Sequence, residues 1–392
     1  MIYDFDVEID RRGTDAVKYE ELPIKYGRSD LMPMWIADMD FAVPPCITEA
    51  IAARTAHPVL GYTHPSDAFW GAITGWLGRR HGWSVGRDQI DYVPGVKKGL
   101  ALCVCHFTRP GDKVVIQPPV YHSFRSVVEG TGRHAVDNPL IAGADGEYRM
   151  DFDGLERIIA EQSPRMLILC NPHNPIGRQW DAPTLERLAA TCRRAGMILL
   201  SDEIYGDMCL PGAPRHIPTA TVSPDAAEIT VTLGAPSKTF NIPGLASAWT
   251  VIPNAELRRG FFDFLLAGEF DTPPLYAQVA TRAAYEGGAE WLDQALAYIA
   301  ANARHVADRL ERELPAARAV IPEAGFGMWI QLGECAGSHD AMIQRLIERG
   351  RIALSDGVSF GPGGEGFVRL NIGTARATLD RGLDRIIDAL RQ

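Results

Sequence analysis

Lys238 lies in the run Gly234-Ala235-Pro236-Ser237-Lys238-Thr239-Phe240-Asn241. A lysine amine held in its neutral form adds to a carbonyl and gives a Schiff base. Groups of complementary kind recur elsewhere. Ser201-Asp202-Glu203-Ile204-Tyr205 carries a carboxylate and, three residues on, a phenol, although Asp202 could equally cap a helix and Tyr205 be a half-buried aromatic. In Asn171-Pro172-His173-Asn174-Pro175-Ile176-Gly177 two X-Pro units stiffen a loop that presents two amides, which is denser than a connector needs. Pro94-Gly95-Val96-Lys97-Lys98-Gly99 opens a helix, where free backbone N–H groups and the helix dipole suit a phosphate. Glycine before a helix is common, so that motif is weak alone. Pro118-Pro119-Val120-Tyr121 offers an extended backbone and a ring able to stack on a flat ligand, or merely a turn with a packed tyrosine.

These groups need a scaffold that brings them together. Short apolar runs at Ile90 to Val93, Val114 to Gln117, Met166 to Cys170, Met197 to Ser201, Ile229 to Leu233 and Trp249 to Ile252 alternate with helix-like stretches. The alternation predicts an α/β fold with a mostly parallel, doubly wound sheet, and every motif above falls at or just after the end of one of its strands, where ligands collect. After Tyr276 the pattern turns helical through Ala277 to Leu314. Strand-like runs follow at Gly327 to Leu332 and Gly366 to Ile372, then an amphipathic helix from Thr378 to Leu390, together a smaller α+β unit. The expected organisation is an arm over residues 1–45 packing on other elements rather than forming a core, a large domain over 46–285 and a small domain over 286–392. Asp38 and Asp40 are expected to anchor that arm rather than to act as catalytic acids.

Composition narrows the class. The 392 residues are 46% hydrophobic and 22% charged, as in ordinary globular proteins. Their 39 basic against 49 acidic side chains give a net charge of −10, which disfavours nucleic acid as the partner. No apolar run approaches the roughly 18 residues of a membrane helix, and the start carries no leader pattern, so a cytoplasmic protein with no membrane partner is expected. Seven scattered cysteines and ten histidines show neither a disulfide framework nor metal-ligand spacing, so no metal is expected.

Asn-Pro-His-Asn-Pro-x-Gly, Asp-Glu-Ile-Tyr and Ser-Lys-Thr-Phe-Asn, in this order, resemble the fold-type I pyridoxal-phosphate enzymes of the class I/II aminotransferase superfamily. Trp35-Ile36-Ala37-Asp38-Met39-Asp40-Phe41, Gly61-Tyr62 and Arg369-Leu370-Asn371 narrow the resemblance to its MalY/PatB branch of cystathionine β-lyases and cystalysin-like carbon–sulfur lyases. It extends over essentially the whole chain and implies an aspartate-aminotransferase-like large domain binding pyridoxal 5'-phosphate.

By that resemblance Lys238 would hold the cofactor covalently and later take the proton from the substrate Cα. Asp202 would pair with the pyridine nitrogen, Asn174 and Tyr205 with the ring oxygen, and Tyr121 would stack on the ring. The phosphate would sit on the N–H groups of Gly95, Val96 and Lys97, with the Ser237 hydroxyl and a Tyr62 supplied across a homodimer. Arg369, interrupting the apolar run Phe367-Val368-Arg369-Leu370, would grip the substrate carboxylate, shared with Asn174 and a backbone N–H at Ile36 or Ala37. The bland reading of Arg369 is a structural salt bridge.

Two positions depart from family patterns. Aminotransferases usually carry an arginine after the lysine in a Gly-Leu-Arg segment, where this chain has Gly244-Leu245-Ala246. Lys97 is the candidate to replace its charge on the phosphate. The lyase branch commonly has His where this chain has Tyr205. A thiol with a pKa near 8.5 leaves readily, so β-elimination on L-cystathionine or another L-cysteine S-conjugate is the leading expectation, giving thiol, ammonia and pyruvate. The alternatives are an aminotransferase, a decarboxylating enzyme acting on a cysteine conjugate, and a regulatory binding protein.

Overall fold

The computed structural model describes residues 1–143 and 146–391. A seven-stranded sheet is built from β1 (Ile90–Val93), β2 (Lys113–Ile116), β3 (His134–Asp137), β4 (Met166–Cys170), β5 (Ile198–Asp202), β6 (Thr230–Gly234) and β7 (Ala248–Val251), in the order β1-β7-β6-β5-β4-β2-β3. All are parallel except β7, which runs against both β1 and β6. The central strands Met166–Cys170 and Thr230–Gly234 are buried at every residue, because helices cover both faces. Val114, Ile116, Met166 and Ile168 pack on one face with helices Val96–Phe107 and Ser123–Gly130. Val115, Leu167 and Leu169 pack on the other with Leu185, Leu188 and Cys192 of helix Ala182–Arg194. The strand that sequence reading missed, β3, is one edge of the sheet. His134-Ala135-Val136-Asp137 is only half buried and has no apolar run to betray it.

A second, antiparallel sheet of four strands comprises β8 (Arg318–Ala319), β9 (Gly327–Gln331), β10 (Ser355–Asp356) and β11 (Phe367–Asn371), in the order β8-β9-β11-β10. Helices Ala289–Glu313, His339–Glu348 and Arg376–Leu390 pack with it. The helical stretch predicted from Ala277 onward is two helices, Leu275–Gly287 and Ala289–Glu313, divided at Gly288. A Cβ at Gly288 would lie 2.5 Å from the ring of Phe240 and 2.6 Å from the Ala284 carbonyl oxygen, so this junction closes tightly on the segment carrying Lys238.

The first residues pack on other elements and also enter the core, which sequence reading did not foresee. Phe5 lies edge-on to Phe41 (4.9 Å) and Trp291 (5.8 Å), Met34 and Met39 are almost fully buried, and Met32–Pro33 pairs in parallel with Ile352–Ala353. Their apolar side chains are spread among polar ones with no single period, so only the fold collects them. Among the described residues no helix is long and apolar enough to cross a membrane.

Candidate active site

Asp202 ends β5 with its backbone opposite Cys170 of β4 and Leu233 of β6. Its Oδ1 accepts from the Ile204 N–H at 3.1 Å, and burial lifts the carboxyl to about 7, with Glu203 adding to the rise and the Lys238 charge opposing it. Beyond β6 a turn of helix, Pro236–Thr239, carries Ser237 and Lys238. Its orientation is held by the Thr239 hydroxyl, which donates to Asp207 Oδ2 at 3.0 Å. Burial lowers the Lys238 amine to about 8. Asp38 and Asp202 resist that shift while Arg369 adds to it, and the ammonium donates to the Ala37 carbonyl oxygen. A lysine brought this close to neutrality is suited to Schiff-base and proton-transfer chemistry.

The loop after β4 is locked from several sides. Asn171 Nδ2 donates to the Ile217 carbonyl (3.2 Å) and the Thr219 hydroxyl (3.1 Å), and His173 Nε2 meets the Pro119 carbonyl at 3.0 Å, tying the loop to the segment bearing Tyr121. Gly177 has φ +70°, and a Cβ there would come within 2.4 Å of Pro322. Its carbonyl accepts from the N–H groups of Glu323 and Ala324, so this loop and the segment leading to β9 are stitched together. Asn174 Oδ1 accepts from Arg369 Nη1 at 2.9 Å.

Arg369 and Asn371 share one face of β11, two residues apart. Arg369 Nη2 donates to the Trp35 carbonyl (3.1 Å) and the Ser355 hydroxyl (3.2 Å), and the guanidinium lies 5.1 Å from the Phe360 ring. The side chain fits because the facing strand has Gly327, whose Cβ would stand 2.9 Å from Arg369 Cδ. Arg369 is 8% exposed, yet among the described residues it makes no ion pair with a carboxylate. The structural salt bridge is therefore not its explanation.

Gly95, at φ +97°, leads into helix Val96–Phe107, whose first N–H groups lack partners within the helix. Lys97 is exposed on its first turn; burial, followed by the charges of Arg369, Lys25 and Lys97, lowers the His122 imidazole to about 4. Tyr205 is buried edge-on to Phe326 at 5.8 Å. Burial raises its phenol, and the charge of Arg369 offsets part of the rise. Tyr121 is half buried beside His122.

Lys238, Asp202, Tyr121, Tyr205, Asn174 and Arg369 are thus gathered at one end of the sheet, with Ser237 beside Lys238. Ile36 and Ala37 join them through their carbonyls, which accept from Asn371 Nδ2 (2.8 Å) and Lys238 respectively. Tyr62 is not among them: it is fully exposed, like Val59 and Leu60 nearby. Sequence reading assigned no role to Asn371, Asn241 or Ser355, which clamp the Trp35–Phe41 segment. The two-residue spacing of Arg369 and Asn371 in a strand was the available signal for the first of them.

The model of the aminotransferase class I and II family matches residues 29–386. PatB of Bacillus subtilis (strain 168), a cystathionine β-lyase, is 42% identical over 386 residues, covering 98% of this chain and 99% of its own. Protein MalY of Escherichia coli (strain K12) is 34% identical, covering 100% and 99%. The structure of cystalysin from Treponema denticola, which contains pyridoxal 5'-phosphate, superposes with a TM-score of 0.95 at 31% identity, covering 100% and 99%. This chain belongs to the class I and II aminotransferase family, within it to the MalY/PatB-type cystathionine β-lyases. Its architecture is that of fold-type I, and pyridoxal 5'-phosphate is its cofactor.

Proposed function

We propose that this chain catalyses β-elimination on L-cysteine S-conjugates, L-cystathionine among them, releasing a thiol, ammonia and pyruvate. The observation that carries the reading is Arg369: a buried guanidinium without a counter-charge among the described residues, beside a lysine lowered toward neutrality, calls for a small ligand that brings a carboxylate and an amine. Three of its five donors already have neutral acceptors, which leaves two for the carboxylate. Asn174 and an N–H at Ile36 or Ala37 share that ligand.

The remaining residues suit the cofactor. A carboxylate raised to about 7 gains most from a protonated pyridine nitrogen, so Asp202 is assigned to hold that proton. Asn174 and Tyr205 hydrogen-bond the ring oxygen and Tyr121 covers one ring face. The N–H groups of Gly95, Val96 and Lys97 with the Ser237 hydroxyl hold the phosphate, and the Lys97 ammonium supplies the charge that Ala246 cannot. When bound, pyridoxal phosphate supplies the sink for the electron pair left at Cα. Lys238 anchors the cofactor until the substrate amine replaces it, then takes the Cα proton. A homodimer in which Tyr62 reaches the neighbouring phosphate is supported by the exposure of Val59, Leu60 and Tyr62 on one loop. The division into an arm (1–45), a large domain (46–285) and a small domain (286–392) is proposed with it.

The test is purified protein with L-cystathionine and, separately, S-methyl-L-cysteine, following cofactor absorbance, pyruvate and free thiol. Equal pyruvate and thiol without a keto-acid acceptor supports elimination. Conversion of the cofactor to its pyridoxamine form with no thiol released replaces it with transamination, the reading that Tyr205 favours.

A further inference from the structure

The segment Trp35–Phe41 crosses the site with its carbonyls held by side chains beneath it. Asn371 Nδ2 binds the Ile36 and Asp38 carbonyls at 2.8 and 2.6 Å, Lys238 binds that of Ala37, and Asn241 Nδ2 binds those of Met39 and Phe41 at 3.0 and 2.9 Å. The backbone is therefore fixed before its two carboxylates contribute. Those carboxylates differ. Asp40 uses both oxygens, each within 2.7 Å of the buried Lys18 ammonium, with Arg11 Nη1 at 3.3 Å. Asp38 Oδ2 accepts from Arg11 Nη2 at 2.6 Å, while its Oδ1 is buried with no hydrogen-bond partner among the described residues. An anchor has no use for an unpartnered oxygen, which costs desolvation energy. Lys238 is bonded to the carbonyl of the adjacent residue, Ala37, and the Asp38 charge acts on its amine.

We propose that Asp38, oriented by Arg11, is a positioning residue that holds Lys238 in its ammonium form between the two proton transfers of the reaction. The inference rests on the β-elimination reading. There, the Cα–H proton passes to Lys238 Nζ, the Cα–H electron pair ends in a Cα–Cβ double bond, and the Cβ–S pair leaves with sulfur. The Lys238 proton then neutralises that sulfur as a thiol. A buried ammonium is disfavoured by desolvation and by the Arg369 guanidinium, whereas Asp202 is committed to the far end of the cofactor. Asp38 is the strongest of the charges acting in the other direction. Behind it Arg11, Asp40 and Lys18 carry charge, and they are paired among themselves and with Asp38.

The test reads the Lys238 amine directly, in the full chain freed of cofactor, as the rate of carbamylation by cyanate measured by peptide mass spectrometry. Comparison with wild type at each pH cancels the reagent's own pH dependence. Asp38→Asn is expected to lower the amine's midpoint by about one unit, so that at pH 6 it reacts about tenfold faster. Arg11→Gln, which leaves the Asp38 charge unopposed, is expected to shift it the other way. Asp40→Asn, which loosens the same arm, is expected to leave it within about 0.3 unit. In the holoenzyme the acid limb of the kcat profile follows the same order. An unmoved Lys238 midpoint in both Asp38→Asn and Arg11→Gln overturns the proposal, as does an Asp40→Asn shift equal to that of Asp38→Asn. If Asp38→Asn does not fold, Arg11→Gln decides alone. Because the amine titration needs no turnover, failure of the elimination reading leaves it interpretable.

Discussion

Replacing Arg369 by Gln separates substrate recognition from scaffolding. The guanidinium donates to Asn174, Trp35 and Ser355, all neutral acceptors, and its two spare donors are assigned to the substrate carboxylate. A charge pair at 4 Å with an effective dielectric of 20 is worth about 4 kcal/mol gross. Desolvating the incoming carboxylate takes part of this back, so a net loss of about 3 kcal/mol, or roughly 10² in kcat/KM, is expected. Arg369→Lys keeps the charge and loses the fork, and is expected to fall between the two. The thermal midpoint should move little: three hydrogen bonds disappear, but so does an unpaired buried charge. The assay is steady-state elimination on S-methyl-L-cysteine, paired with inhibition by L-alanine and by L-alaninamide, which lacks the carboxylate. Wild type should prefer L-alanine, and Arg369→Gln should lose that preference while binding L-alaninamide as before. A loss in kcat/KM below tenfold, or equal weakening of both inhibitors, would refute the carboxylate role.

Lys97→Ala is expected to weaken cofactor retention markedly in dialysis against buffer free of pyridoxal phosphate; unchanged affinity would leave the missing arginine after Lys238 uncompensated. In the cofactor-free chain, Asp202 has a carboxyl raised from its ordinary value to about 7, so the native state binds the extra proton and stability falls as pH rises from about 4 to 7. Thermal midpoints across that range should therefore decline in wild type and flatten in Asp202→Asn, and parallel curves would show that the carboxyl titrates normally. Gly177→Ala places a Cβ against Pro322 at a φ of +70° and is expected to cost about 2 to 4 kcal/mol in denaturant unfolding; a loss under about 0.5 kcal/mol would mean that the loop gives way easily.

Much of this molecule could be read from its residues in order. Six strands of the large sheet announce themselves as short, largely apolar runs because helices cover both faces of its centre, where Met166–Cys170 and Thr230–Gly234 are buried at every residue. Their carboxyl ends then point to Asn174, Asp202 and Lys238 without any coordinates, since a doubly wound sheet leaves ligands nowhere else to collect. The edge strand His134–Asp137 was illegible for the opposite reason, being exposed on one side and free of any apolar run. The tertiary structure decided what depends on contacts more than a hundred residues apart. That Arg369 has no carboxylate partner among the described residues, that Asn371 and Asn241 clamp the Trp35–Phe41 carbonyls, and that Asp38 keeps one oxygen unpartnered among those residues follow from the small sheet and the segment after β6 both closing on the arm. Periodicity reports which face of an element is buried; which polar group meets which across that face is set only when the elements pack.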